Sequence, residues 1–138
     1  MPLLPHLEKE PENEREWFAA LISMARYLRG PEGCPWDRQQ KTRDFARFAI
    51  EEGQELHEAA EADDNDHIEE ELGDCLFTLL ACAAAAEEEG RLTLEGAMRR
   101  IHEKMVRRHG HVFGDEKAAT PEEAVNAWNH VKAREKGR

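Results

Sequence analysis

The sequence predicts an all-α fold: a bundle of about five helices whose four-helix core is completed by dimerisation. Three observations carry that expectation. Apolar residues recur at helical spacing along most of the chain, and helix-start signals punctuate them. No stretch shows the strict apolar–polar alternation of a half-buried strand. One helix, from Leu72 to Ala86, is apolar around most of its circumference and so calls for burial on all sides. A five-helix domain of this size struggles to cover such a helix alone, which points to a homodimer or a dimer of dimers.

The elements follow in order. Residues 1–12 are rich in proline and charge and read as a loose N-terminal tail, leaving 13–138 as a single domain. Asn13 to Glu16 fits a capping box and opens a first helix that runs to about Leu28. Arg29 to Asp37 is dense in turn residues and reads as a loop. A second helix spans about Thr42 to Ala62. Asp66 to Glu69 is a second capping box, starting a third helix that stops at Gly90. Thr93 caps a fourth helix ending near Gly110. Thr120, with Pro121 in the first helical position and Glu122 and Glu123 behind it, opens a fifth.

Bulk properties exclude several function classes. The 138 residues carry 19 basic and 30 acidic side chains, a net charge of −11. That balance disfavours binding to nucleic acid or to an anionic membrane, both of which need a basic footprint. The longest uncharged apolar run, Cys75 to Ala86, is 12 residues and too short to span a bilayer. Three cysteines, an odd number, and no secretory leader pattern fit a reducing, cytoplasmic setting.

Against that background four acids stand out. Glu52 and Glu55 lie one turn apart on the second helix, and Glu71 and Asp74 one turn apart on the third. Glu52 falls within about 40° of Phe45, Phe48 and Leu56, inside the apolar stripe. Asp74 interrupts the apolar run of the third helix. Acids so placed need neutralising, and few cations are nearby in sequence. On antiparallel neighbouring helices the two pairs would converge into one cluster. An all-oxygen donor set suits Mg²⁺, with Mn²⁺ a possible substitute, rather than zinc. The chemistry expected of it is metal-assisted attack on a phosphoryl centre. Glu51, adjacent but rotated by about 100°, would orient a water or hold a second ion. His102, His109 and His111 match no compact two-histidine zinc motif.

The sequence resembles the MazG family of nucleotide pyrophosphohydrolases, all-α enzymes that cleave nucleoside triphosphates to monophosphate and pyrophosphate. Its acid motif stands here as Glu51-Glu52-Gly53-Gln54-Glu55 and Glu71-Leu72-Gly73-Asp74, with 15 residues between. Gly33 to Asp37, Glu87 to Arg91 and Arg107 to Phe113 match in the expected order, so the resemblance covers about residues 17–135. It implies that Glu52, Glu55, Glu71 and Asp74 are Mg²⁺ ligands supported by Glu51. It also implies that Lys104 and Arg108 hold phosphates, and that Trp128 and Lys132 contribute to the nucleotide pocket. Gly110 departs from the family pattern, which usually has proline there. Two rival readings stay open: a non-catalytic nucleotide-binding helical dimer, and a pyrophosphatase specialised for dUTP or a damaged nucleotide.

Overall fold

The structure, a computed structural model, describes residues 2–137; the first residue of the expected tail and the last of the expected domain lie outside them. Among the described residues all regular structure is helical: α1 (Glu14–Leu28), α2 (Pro35–Gln39), α3 (Thr42–Glu61), α4 (Asn65–Glu88), α5 (Leu94–Arg108), α6 (Gly110–Phe113) and α7 (Pro121–Lys136). They fall into two compact units, one up to Thr93 and one from Leu94 onward.

The first unit is built on the α3–α4 hairpin. At its turn Asp63 takes a left-handed conformation, φ 55°. Its N–H reaches the Ala60 carbonyl at 3.2 Å, and the Asp64 N–H reaches Ala59 at 3.4 Å. This is the bonding of a Schellman cap with aspartate in the usual glycine place. Asp64 then serves α4 as well, its side chain accepting from the His67 N–H at 3.2 Å. The cap is therefore Asp64 and not the expected Asp66, and α4 begins one residue after it. The hairpin is antiparallel, so Phe45, near the start of α3, packs with Ala81 and Ala85, near the end of α4. Phe48, Phe77 and Cys82 close over this cluster.

Helix α1 lies along α4 in the same direction, its Ala20 and Ala25 buried. Small residues on α4 (Ala81, Ala84, Ala85 and Ala86, all buried) let neighbouring helices approach closely. The far end of α4 fastens both neighbours. Glu87 accepts from Arg26 Nε and Nη2, each at 3.1 Å, and Glu88 pairs with Arg29. Glu89 accepts from both the N–H and the hydroxyl of Thr42 at 2.8 Å, capping α3 from outside. Those two bonds, with Arg91 adding its charge, hold the Glu89 carboxyl below the usual range. Gly90, φ 72°, ends the helix, with Arg91 N–H bonded to Ala86 at 2.9 Å.

Three expectations change here. The loop from Arg29 to Asp37 contains a short helix, α2, because Pro35 presets its first turn and Trp36 gains aromatic neighbours. The Trp36 ring stacks on Phe48 at 5.7 Å between centroids and meets Phe45 edge-on at 6.2 Å. A second short helix, α6, follows the expected fourth. Residues 2–12 form no helix yet lie against α1, with Lys9 Nζ 3.1 Å from Glu16 and the His6 ring 6.5 Å from Tyr27. By contrast, α4 keeps exposed apolar positions within one chain, as a helix that a single domain struggles to cover would: Leu72 is 57 % exposed and Leu79 56 %.

In the second unit α5 packs on α7, and α6 touches both. Thr120 caps α7 as expected, accepting from Glu123 N–H at 3.2 Å. Val131 is the buried apolar residue of α7.

Candidate metal centre and phosphate-binding residues

The antiparallel pairing that sets Phe45 against Ala85 sets Glu52 and Glu55 against Glu71. One carboxylate oxygen from each of these three lies within 4.8 Å of the others. Glu71 is 6 % exposed, the one charged residue that is buried as a whole, backbone included, among the described residues. Its Oε1 sits 3.2 Å from His67 Nε2, one turn earlier on the same helix. Its Oε2, like Glu52 Oε2, is buried with no hydrogen-bond partner. Orphaned carboxylate oxygens in a protein interior are costly.

The electrostatics agree. Burial, then the charges of Glu55, Asp74 and Glu71, push the Glu52 carboxyl above its usual range. Burial, Glu55 and Asp74 raise Glu71 as well, with His67 opposing them. The same acids, added to burial, raise the neighbouring Cys75 thiol and keep it protonated and unreactive. An open groove of about 390 Å³ adjoins the cluster, lined by Glu55, Glu58, Ala59, Ala62, His67 and Glu71. Two partnerless buried oxygens and an all-carboxylate donor set fit a hard divalent cation.

The other expected residues are placed less uniformly. Asp74 is near enough to act electrostatically on Glu52 and Glu71, but it is exposed and stands outside the tight trio. Glu51 is exposed on the adjacent face of α3. In the second unit, Lys104 and Arg108 are both half-buried one turn apart on α5. The Arg108 guanidinium lies 5.0 Å over the Trp128 ring and bonds Glu135. Trp128 also meets His109 edge-on at 5.4 Å, so much of its indole is spent within the unit. Lys132 is exposed.

Residues 40–113 match the model of the MazG nucleotide pyrophosphohydrolase domain. The chain belongs to this family. Among its relatives, the nucleoside triphosphate pyrophosphohydrolase/pyrophosphatase MazG of Thermotoga maritima is 42 % identical over 121 residues, which is 88 % of this chain and 46 % of that protein. The nucleoside triphosphate pyrophosphohydrolase of Escherichia coli K12 is 38 % identical over 84 % of this chain and 44 % of its own length. The uncharacterised protein YabN of Bacillus subtilis is 44 % identical over 86 % of this chain and 24 % of its own. The chain thus spans less than half the length of these curated relatives. A crystal structure of a MazG-related protein from Thermotoga maritima superposes with a TM-score of 0.69 at 32 % identity, covering 82 % of this chain and 96 % of that one.

The MazG match contains the acid trio, Asp74, Lys104 and Arg108, and ends before Trp128 and Lys132. Three residues escaped the sequence reading. His67 was signalled only by its four-residue spacing to Glu71. Glu135 stands seven residues after Trp128, hence on the same face of α7, but nothing in the chain announced Arg108 as its partner. Arg29, whose side chain is 5 % exposed, donates to the carbonyls of Asp37 at 2.5 Å and Gln40 at 3.0 Å, organising the loop that carries Trp36.

Proposed function

We propose that this chain hydrolyses nucleoside triphosphates at the α-phosphorus, giving a nucleoside monophosphate and pyrophosphate, with Mg²⁺ as the cofactor and Mn²⁺ as a substitute. The observation that carries the proposal is the trio Glu52, Glu55 and Glu71, two of whose buried oxygens have no protein donor. Those three residues, joined by Asp74, would hold the ion. A divalent cation bound there supplies the positive charge that makes an acidic protein hospitable to a polyphosphate and polarises the phosphoryl group.

The chain's own groups do the rest. Glu51, exposed beside Glu52, would accept the proton of the attacking water. Lys104 and Arg108 would hold the outer phosphates, and the pyrophosphate leaves with them. Trp128 and Lys132 would bound the nucleoside pocket. A second copy of the chain would cover Leu72 and Leu79 on α4, so a homodimer or a dimer of dimers is the proposed working form. Cys34, Cys75 and Cys82 are all free thiols, in keeping with a cytoplasmic setting.

The test is product analysis by ³¹P NMR after incubation with Mg²⁺ and a panel of nucleoside triphosphates that includes dUTP and oxidised bases. Monophosphate with pyrophosphate is expected; diphosphate with orthophosphate would refute the site of attack. Glu52→Gln and Asp74→Asn should each lower kcat/KM at least ~100-fold. Survival of full activity in both would leave the acid cluster without a role.

A further inference from the structure

At the end of α5 two arginines share one carboxylate. Arg107 Nε donates to Glu135 Oε2 at 2.6 Å. Arg108 donates to Glu135 Oε1 from Nη2 at 2.6 Å and from Nε at 3.2 Å. The Arg108 and Glu135 side chains are only 12 % and 14 % exposed, whereas Arg107 is 42 % exposed. One face of the Arg108 guanidinium is taken by the Trp128 ring at 5.0 Å. A guanidinium has five N–H donors in a rigid fork. Glu135 occupies the Nε–Nη2 edge, and the Nη1 edge has no hydrogen-bond partner among the described residues.

We propose that Glu135 is a positioning residue for phosphate binding: it locks the Arg108 fork across Trp128 so that the free Nη1 edge meets a substrate oxyanion already oriented. This rests on the proposed function above for Arg108 as a phosphate ligand and for the identity of the phosphate compound. An arginine otherwise loses rotamer freedom on each binding event, and a preset fork avoids that cost. The opposite role, a carboxylate that phosphate must displace, fits the geometry less well. Arg107 satisfies the second oxygen of Glu135, and Trp128 holds the plane of Arg108, so the arrangement is braced from two sides. Hydrogen bonds from Arg108 and Arg107, with the charges of both against the opposing effect of burial, also pull the Glu135 carboxyl down to about 2, which keeps the brace ionised throughout the neutral range.

The experiment compares wild type, Glu135→Gln, Arg108→Ala and the double variant, with inorganic triphosphate binding measured by calorimetry beside nucleotide kinetics. Glu135→Gln should raise KM and the triphosphate Kd by roughly tenfold and leave kcat within about threefold. The double variant should be no worse than Arg108→Ala alone, because Glu135 acts through that side chain. A fall in KM, an unchanged triphosphate Kd, or multiplying losses in the double variant would overturn the proposal. If the amide variant does not fold, Glu135→Asp withdraws the carboxylate by one methylene and should move KM in the same direction. Triphosphate binding that depends on Arg108 and Glu135 without any nucleotide turnover would refute the proposed activity and leave this inference standing.

Discussion

Replacing Glu71 with glutamine separates the electrostatic role of the acid cluster from its packing, since the amide keeps the shape and removes the charge. Glu52 and Glu71 are both raised above ordinary carboxylates in the metal-free fold. A raised acid binds more protons folded than unfolded, so its contribution is fully present below the unfolded value and is lost as pH rises through the folded one. Metal-free wild type should therefore lose stability as pH climbs out of the carboxylate range. The variant should lose less, having one fewer charge to crowd. Added Mg²⁺ reverses the comparison. A ligand at a hundredfold over its dissociation constant stabilises a fold by about 2.7 kcal/mol, or about 10 °C in Tm for a domain of this length. A hundredfold weaker site at the same Mg²⁺ concentration would leave a shift of only about 1–2 °C. The assay is a thermal melt from pH 5 to 8, with chelator and with Mg²⁺. An undiminished Mg²⁺ shift in the Glu71→Gln protein would show that the ion is held elsewhere. An unchanged pH slope without metal would show that the cluster is not under electrostatic pressure.

Two further predictions concern the loop that carries Trp36. Arg29→Ala removes donors from the Asp37 and Gln40 carbonyls and the partner of Glu88. Charge-assisted bonds of this kind contribute about 1.5–3 kcal/mol each, so urea unfolding should register a loss of about 3–5 kcal/mol; a loss under 1 kcal/mol would contradict the assigned role. Gly33→Ala would bring a Cβ to 2.2 Å from the Leu28 carbonyl oxygen and 2.4 Å from that of Tyr27, both of them backbone atoms. The chain must shift to admit it, and a cost of about 2–4 kcal/mol is expected in the same measurement; a change within 0.5 kcal/mol would mean that the turn relaxes freely.

The helices were legible in the sequence because their signals are local. Asn13, Thr120, Pro121 and Gly90 act within one turn of themselves, and the structure places each where its chemistry predicts. The turn after α3 was misjudged for the same reason. Asp63, Asp64, Asn65 and Asp66 are all competent caps, and only the closing bonds to Ala59 and Ala60 single out Asp64. α2 could not be read from propensity, since Trp36 is held by Phe45 and Phe48 from a different helix. Residues that act across the fold left no local trace, as Arg29 and Glu135 show.

The acid cluster was legible in outline because periodicity and antiparallel pairing together fix which residues oppose each other. It was not legible in detail. Helical spacing puts Asp74 on the face of Glu71, yet burial separates them: Glu71 is enclosed and Asp74 is exposed. The enclosed member bears the electrostatic load, since only a desolvated carboxylate with an unpartnered oxygen gains much from a cation. The exposed member is free to adjust its rotamer towards an ion or a substrate-linked water. The two residues of one motif therefore predict different losses. Removing Glu71 should cost most of the ion affinity measured without nucleotide, whereas removing Asp74 should weaken it modestly and act mainly on turnover. Equal effects of the two on Mg²⁺ affinity in isothermal titration would mean that burial does not divide their roles, and that all four acids grip the ion alike.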